Sequence, residues 1–121
     1  MQGDNKIEHE KEIREILESD RAAGSLPTAF VCANDAIAVC TMNVLDQMGI
    51  SVPADISVTG FDNIEDSYTR VPGITTVNVE KETLGRRAVL MLLEKMKYPG
   101  FPRESIYMSA TIIYRESIDK A

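Results

Sequence analysis

An α/β fold, a mostly parallel sheet flanked by helices, is predicted by three observations. Apolar runs at 29–33, 56–61 and 74–79 are too short for helices and carry Phe, Val and Ile. Helix-compatible segments of 13 residues or more separate the first run from what precedes it and follow the first and third runs. The first two runs also end alike, on Asn34-Asp35 and on Asp62-Asn63. Strands alternating with helices predict right-handed crossovers and parallel pairing.

Taken in order, residues 5–23 are rich in Glu, Lys and Arg, with Ile13, Ile16 and Leu17 toward one face. This spacing predicts an amphipathic surface helix, punctuated by Gly24, Ser25 and Pro27. The run at 29–33 is a buried strand. Asn34 is a strong N-cap, Asp35 suits the positive end of a helix dipole, and the helix over 35–48 stops at Gly49. A loop over 50–55 leads into the second strand at 56–61. Residues 65–70 suit one helical turn, broken by Val71-Pro72-Gly73. A third β-prone run spans 74–79, a second strong helix spans 80–97, and Tyr98-Pro99-Gly100 closes it. One or two closing strands are expected over 105–115.

The chain has 121 residues, a formal net charge of −6, 44% apolar and 26% charged residues. That suits one domain with a core of its own. The acidic balance argues against this chain gripping DNA or an anionic membrane by itself. No apolar stretch approaches the ~18 residues of a membrane span, and the N-terminus shows no signal peptide. Cys32 and Cys40 sit in apolar segments and read as reduced core residues of a cytosolic protein. No metal site is expected, and His9, alone in a charged helix, reads as solvated.

On a helical wheel, Asp35, Asn43, Asp46 and Gln47 share one side of the 35–48 helix, with Val39 and Met42 among or beside them. Apolar residues on a polar face suggest a partner surface. In the 80–97 helix, Leu84, Val89, Leu92, Leu93 and Met96 belong to an apolar band covering about half the circumference, wider than one contact needs. This helix therefore calls for cover on two sides.

No phosphate loop, dinucleotide turn, nucleophile elbow or paired histidines are present. No catalytic pairing emerges, and no cofactor is expected. What remains is Asn34 with Asp62, each just past a strand, where open α/β sheets bind ligands. An amide and a carboxylate suit a ligand with several hydroxyls, such as a sugar or nucleoside. Spacing alone leaves open that Asn34 only caps its helix and Asp62 only forms a turn.

Five segments resemble the lactose/galactose-repressor (LacI/GalR) family of bacterial transcription regulators. Pro27-Thr-Ala-Phe-Val-Cys-Ala-Asn-Asp-Ala-Ile-Ala38 is similar to its P-T-A-…-A-N-D-x-x-A signature. Gly49-Ile-Ser-Val-Pro-Ala-Asp-Ile-Ser-Val-Thr-Gly-Phe-Asp-Asn63 resembles G-x-x-V-P-x-D-I-S-V-x-G-F-D-D/N. Pro72-Gly-Ile-Thr-Thr-Val77 resembles P-P-L-T-T-V, with Gly73 replacing the second proline. Leu84-Gly-Arg-Arg-Ala88 and Tyr114-Arg-Glu-Ser117 match the family's L-G-R-R-A and x-R-E-S.

The resemblance implies a periplasmic-binding-protein-like effector domain, of which this chain is the C-terminal portion. Residues 1–76 and 105–117 would form the second subdomain. The 80–97 helix would cross over to pack on the first. The DNA-binding helix-turn-helix domain would lie outside this chain. Asn34 and Asp62 match positions that hydrogen-bond the effector, often a sugar or related polyol. Asn5, after the Gly3-Asp4 turn, is a further ligand candidate. Val39, Met42, Tyr68 and Arg70 fall in stretches that form the family's homodimer interface. Asp35 is expected to be structural. The implied protein is a cytoplasmic regulator and not an enzyme. The alternative is a periplasmic or surface sugar-binding protein for transport.

Overall fold

The structure, a computed structural model, describes residues 2–119, with side chains from Lys6 to Asp119. Among the described residues, four helices and four short strands follow one another. They are α1 (Gln2–Ala23), β1 (Ala29–Val31), α2 (Asp35–Gln47), β2 (Ser57–Thr59), α3 (Glu65–Thr69), β3 (Thr76–Asn78), α4 (Lys81–Lys97) and β4 (Thr111–Ile113). The described residues form two compact units, one of residues 2–78 and 112–119, the other of residues 79–111.

In the first unit, β1 and β2 are parallel, with Ala29, Phe30 and Val31 paired to Ser57, Val58 and Thr59. A parallel bridge from Thr59 to Thr75 joins β2 to the start of β3. Gly60 N donates to Thr75 O at 2.9 Å and Asp62 N to Val77 O at 3.0 Å, extending that contact. The expected parallel sheet is therefore present as a row of three strands, each shorter than its apolar run. β4 pairs with β3, and residues 105–110 add no strand.

Strands this short cannot hold a sheet together by themselves. Helix α2 does so. Ala38, Val44 and Leu45 are fully buried, and with Leu17 of α1, Ile56, Val58 and Ile74 they make the core. Each such aliphatic side chain contributes about 1.5–3 kcal/mol when taken out of water. α2 starts on the Asn34 cap and ends at Met48, and Gly49 follows with φ of 70°.

The wheel reading of α2 needs correction. Its polar side is partly covered by α1 at Asn43, while Asp46 and Gln47 remain exposed. Asn43 Nδ2 donates to Glu10 Oε1 at 2.9 Å, and Arg14 bonds to Gln47. Val39 and Met42 are consequently buried in the chain's own core. On α1 the burial stripe is narrower than expected: Leu17 is 2% exposed but Ile16 is 60% exposed.

Among the described residues, Asp35 is the one acid in the core, fully buried. Its Oδ1 accepts from Thr76 Oγ1 at 2.6 Å and its Oδ2 from Ile64 N at 2.9 Å, while its N donates to Phe61 O at 2.8 Å. One carboxylate thus ties α2 to the loop after β2 and to β3. The close approach explains Gly60, because a Cβ there would land on Asp35 Oδ1. Ser117 makes a second tie. Its Oγ donates to Val58 O at 2.5 Å and accepts from Thr75 N at 2.8 Å.

In the second unit no residue of α4 is buried, and Leu84, Val89, Leu92, Leu93 and Met96 are all exposed. The helix ends with Tyr98 N donating to Glu94 O and Phe101 N to Tyr98 O, both at 2.9 Å. Among the described residues, no helix is long and apolar enough to cross a membrane.

Asp35→Ala strands two buried donors, and each costs about 1–3 kcal/mol when left unpaired. We expect urea unfolding to show a loss of roughly 2–5 kcal/mol for this variant. Thr76→Val, which leaves the carboxylate one partner short, should lose less.

Candidate functional site

Parallel pairing decides where Asn34 and Asp62 stand. Val31 pairs with Thr59. Three residues further along each strand come Asn34 and Asp62, in equivalent positions past the carboxyl edge of the sheet. The backbones stay in contact there, with Cys32 N donating to Thr59 O at 2.9 Å and Asp35 N to Phe61 O. Both side chains are half-buried.

Asn34 has extended backbone, and its Oδ1 accepts from Ile37 N at 2.9 Å. It is therefore the N-cap, a role worth about 1 kcal/mol. With Oδ1 so engaged, its Nδ2 has no hydrogen-bond partner among the described residues. The capping role and a ligand role are compatible, and the geometry narrows the latter. To a ligand, Asn34 presents a donor.

Asp62 has φ of 101°, and Asn63 follows with φ of 50°. Non-glycine residues enter this region rarely, Asp and Asn most readily, at a cost of about 1–3 kcal/mol. Such strain persists only where the surroundings enforce it. Here Asn63 Oδ1 accepts from Arg115 Nη2 at 2.6 Å, and Asn63 Nδ2 donates to Asn78 Oδ1 at 3.0 Å. Arg115 Nη1 also reaches Ile74 O at 2.8 Å and Ser67 Oγ at 3.1 Å, and its guanidinium lies 5.6 Å from the Tyr68 ring centroid. Arg115 is thus the positioning residue for the loop that carries Asp62. The sequence displayed it only as part of a closing Arg-Glu-Ser; nothing local signals a partner 52 residues away.

Asn34 lines a cavity of about 450 Å³ with Lys6, His9, Ile37, Cys40 and Asp66. Asp62 is not among its lining residues, so the two candidates share an edge of the sheet rather than one closed pocket. Asn5 is the third ligand candidate; its side chain lies outside the described residues. A second cavity, about 350 Å³, lies by Arg70 and is lined also by Met42, Asp46 and Val71. Of the interface candidates, Tyr68 is exposed, Arg70 is half-buried and Val39 and Met42 are buried. No cluster of three or more His, Cys, Asp or Glu converges to hold a metal among the described residues.

Cys32 and Cys40 are both free thiols. Burial pushes each above the usual thiol value. Asp35 adds to this at Cys32 against the Thr41 hydrogen bond, and Glu10 adds to it at Cys40 against Lys6.

The family description "Periplasmic binding protein-like domain" matches residues 1–118. The chain belongs to that family. Among its curated relatives is the HTH-type transcriptional repressor PurR of Pasteurella multocida, 36% identical over 104 residues. That match takes in 86% of this chain but only 31% of the relative, so the chain spans about a third of its relatives' length. The lac repressor dimer bound to operator and the anti-inducer ONPF superposes with a TM-score of 0.79, at 28% identity, over 91% of this chain and 37% of that one. A LacI family regulator of Enterococcus faecium with bound ribose gives a TM-score of 0.77 and 25% identity, over 90% and 40% of the two chains. The periplasmic-binding-protein-like α/β fold and the LacI-type affiliation expected from the five motifs are thereby established.

Raised thiol values keep both cysteines protonated at neutral pH, and only the thiolate reacts. Alkylation by iodoacetamide at pH 8 should be slower than for an unstructured cysteine peptide, and should still be rising with pH after the peptide's rate has levelled off. An alkylation rate equal to the peptide's at pH 8 would contradict the burial.

Proposed function

We propose that this chain is the effector-sensing and dimerisation portion of a bacterial LacI/GalR-type transcription regulator acting in the cytoplasm. The observation that carries the proposal is the placement of Asn34 and Asp62 in equivalent positions past two paired parallel strands. An amide donor and a carboxylate acceptor on one edge of the sheet suit the recognition of a small polar molecule. The relatives are named as repressors, which supports a regulator over both an enzyme and a transport protein.

Ligand enters between two subdomains in this reading. Residues 1–76 and 105–117 supply one of them, and the apolar band of α4 packs on the other, which lies in the part of the relatives' length not covered here. Binding shifts the populations of two subdomain arrangements by the difference in ligand affinity between them. DNA is read by a helix-turn-helix domain outside this chain, in a homodimer formed through the stretches that carry Val39, Met42, Tyr68 and Arg70, with Tyr68 and Arg70 presenting the contact surface.

Two effector classes fit. A sugar or polyol offers hydroxyls to Asp62 and an oxygen to Asn34 Nδ2, and the ribose-bound Enterococcus faecium regulator favours this class. A purine offers ring N–H groups and a ring nitrogen or carbonyl to the same pair, and the PurR relatives favour that one.

Titration of this chain with ribose, other monosaccharides and free purine bases, followed by amide chemical shifts, separates the two. We expect weak binding, with shifts centred on residues 34–35 and 61–63 for one class only. Asn34→Asp keeps a good cap but turns the donor into an acceptor; Asp62→Asn tolerates the same φ but removes the charge. Both variants should stay within about 1 kcal/mol of the parent in stability, because cap and φ tolerance are retained, and should lose the shifts. Shifts confined to other residues, or retained in both variants, would overturn the assignment.

A further inference from the structure

Three helices meet around the cavity beside Asn34, which measures about 450 Å³, the size of a small-molecule site. Lys6 and His9 line it from α1, Asp66 from α3, and Ile37 and Cys40 from α2. Lys6 and His9 stand three apart on their helix and so share a face. Glu10 accepts from Asn43 at 2.9 Å and Arg14 bonds to Gln47, which pins α1 along α2 and keeps that face at the cavity.

Four polar groups here make no hydrogen bond or ion pair among the described residues. They are the Lys6 ammonium, the His9 ring, Asn34 Nδ2 and the Asp66 carboxylate. Burial raises the Cys40 thiol, Glu10 adds to the rise and Lys6 opposes it, so the Lys6 charge reaches the cavity floor. Glu10 is engaged by Asn43, and Asp66 is the one acid among the residues that line the cavity.

The balance of donors and acceptors decides what fits. A Lys ammonium offers three N–H groups, an amide nitrogen two and an imidazole at least one. Against them stands one carboxylate, an acceptor only. Such an excess of donors suits an anionic group, which bonds to them more strongly than a neutral oxygen does. The acid from α3 repels a bare anion but accepts from a hydroxyl, so it favours an anion carried on a hydroxylated molecule.

We propose that this cavity takes the anionic group, phosphate or carboxylate, of a hydroxylated effector, with Lys6, His9 and Asn34 Nδ2 donating to it and Asp66 accepting a neighbouring hydroxyl. The inference rests on the ligand role of Asn34 and deepens it by giving the effector a charge. It holds equally for a sugar and for a purine nucleoside as the rest of the molecule.

The test titrates ribose 5-phosphate, ribonate and AMP into the chain, each beside its neutral counterpart, ribose or adenosine. Ionic strength is held constant and amide chemical shifts are followed. At least one charged ligand should bind about tenfold tighter than its counterpart, the factor carried by one hydrogen bond to a charged group. Its shifts should reach residues 6, 9 and 66 as well as 34–35. An advantage for the phosphates alone assigns the cavity to phosphate, and one for ribonate alone to a carboxylate. Lys6→Gln and His9→Gln lie at exposed positions and should leave the melting temperature unchanged. Each should remove most of the charged ligand's advantage while the neutral counterpart binds as before.

Equal affinity within every pair, with shifts still centred on residues 34–35 and 61–63, would overturn the charged effector and leave the ligand reading standing. The same follows from an advantage that survives in both variants, or from charged-ligand shifts confined to the basic residues of α4. Silence of residues 34–35 and 61–63 toward every ligand would overturn the ligand reading and this inference with it.

Discussion

A single carboxylate with no access to water governs the geometry of this fold. Taking an ionised group out of water is costly unless hydrogen bonds replace its hydration. Asp35 finds its donors in two segments far along the chain, the Ile64 amide and the Thr76 hydroxyl. It also sits in the first turn of α2, where the helix dipole favours negative charge. Satisfying this one group brings the start of α2, the loop after β2 and the strand β3 to a common point. Asn34 and Asp62 owe their placement to it, since each lies within a few residues of an atom that Asp35 holds. Gly60 is part of the same arrangement, being the residue whose missing Cβ lets the carboxylate in.

A second hub works from the far end of the chain. The backbone and side chains of Arg115, Glu116 and Ser117 bond to Gly73, Ile74 and Thr75, and Ser117 reaches on to Val58. These contacts close the strand row with side chains where a longer strand would have used its backbone. They also hold Asn63, and through it the strained peptide at Asp62. The energy stored in a left-handed aspartate is therefore offset by a cationic group brought in from a distant part of the chain.

Much of this was legible in the sequence, and unevenly so. The strand, cap and helix from Ala29 to Gln47 follow from local chemistry: a short apolar run, an amide that can cap, and periodicity. The β-runs were readable but overlong, and the first, expected to be buried, leaves Ala29 and Val31 exposed, because hydrophobicity tells neither where ladder bonds stop nor which strand lies at the edge. The polar face of α2 was read rightly at Asp46 and Gln47, but a helical wheel could not show that Val39 and Met42 beside it are buried. The wide apolar band of α4 was visible from spacing, and the structure leaves that band exposed. The positioning role of Arg115 could not be read, since it depends on contacts between segments far apart in the chain, which leave no periodic trace.

Under the proposed ligand role, Asn34 uses the two ends of one amide for two purposes, its oxygen for the helix and its nitrogen for the ligand. A lineage changing its ligand is consequently not free at this residue. Nearly every replacement that alters the outward chemistry also uncaps α2, and only a few short polar side chains escape that penalty. Novelty in recognition is then channelled to neighbouring positions that carry no such second duty. On that proposal, the ligand can change through the surrounding positions while the amide at the head of α2 stays as it is.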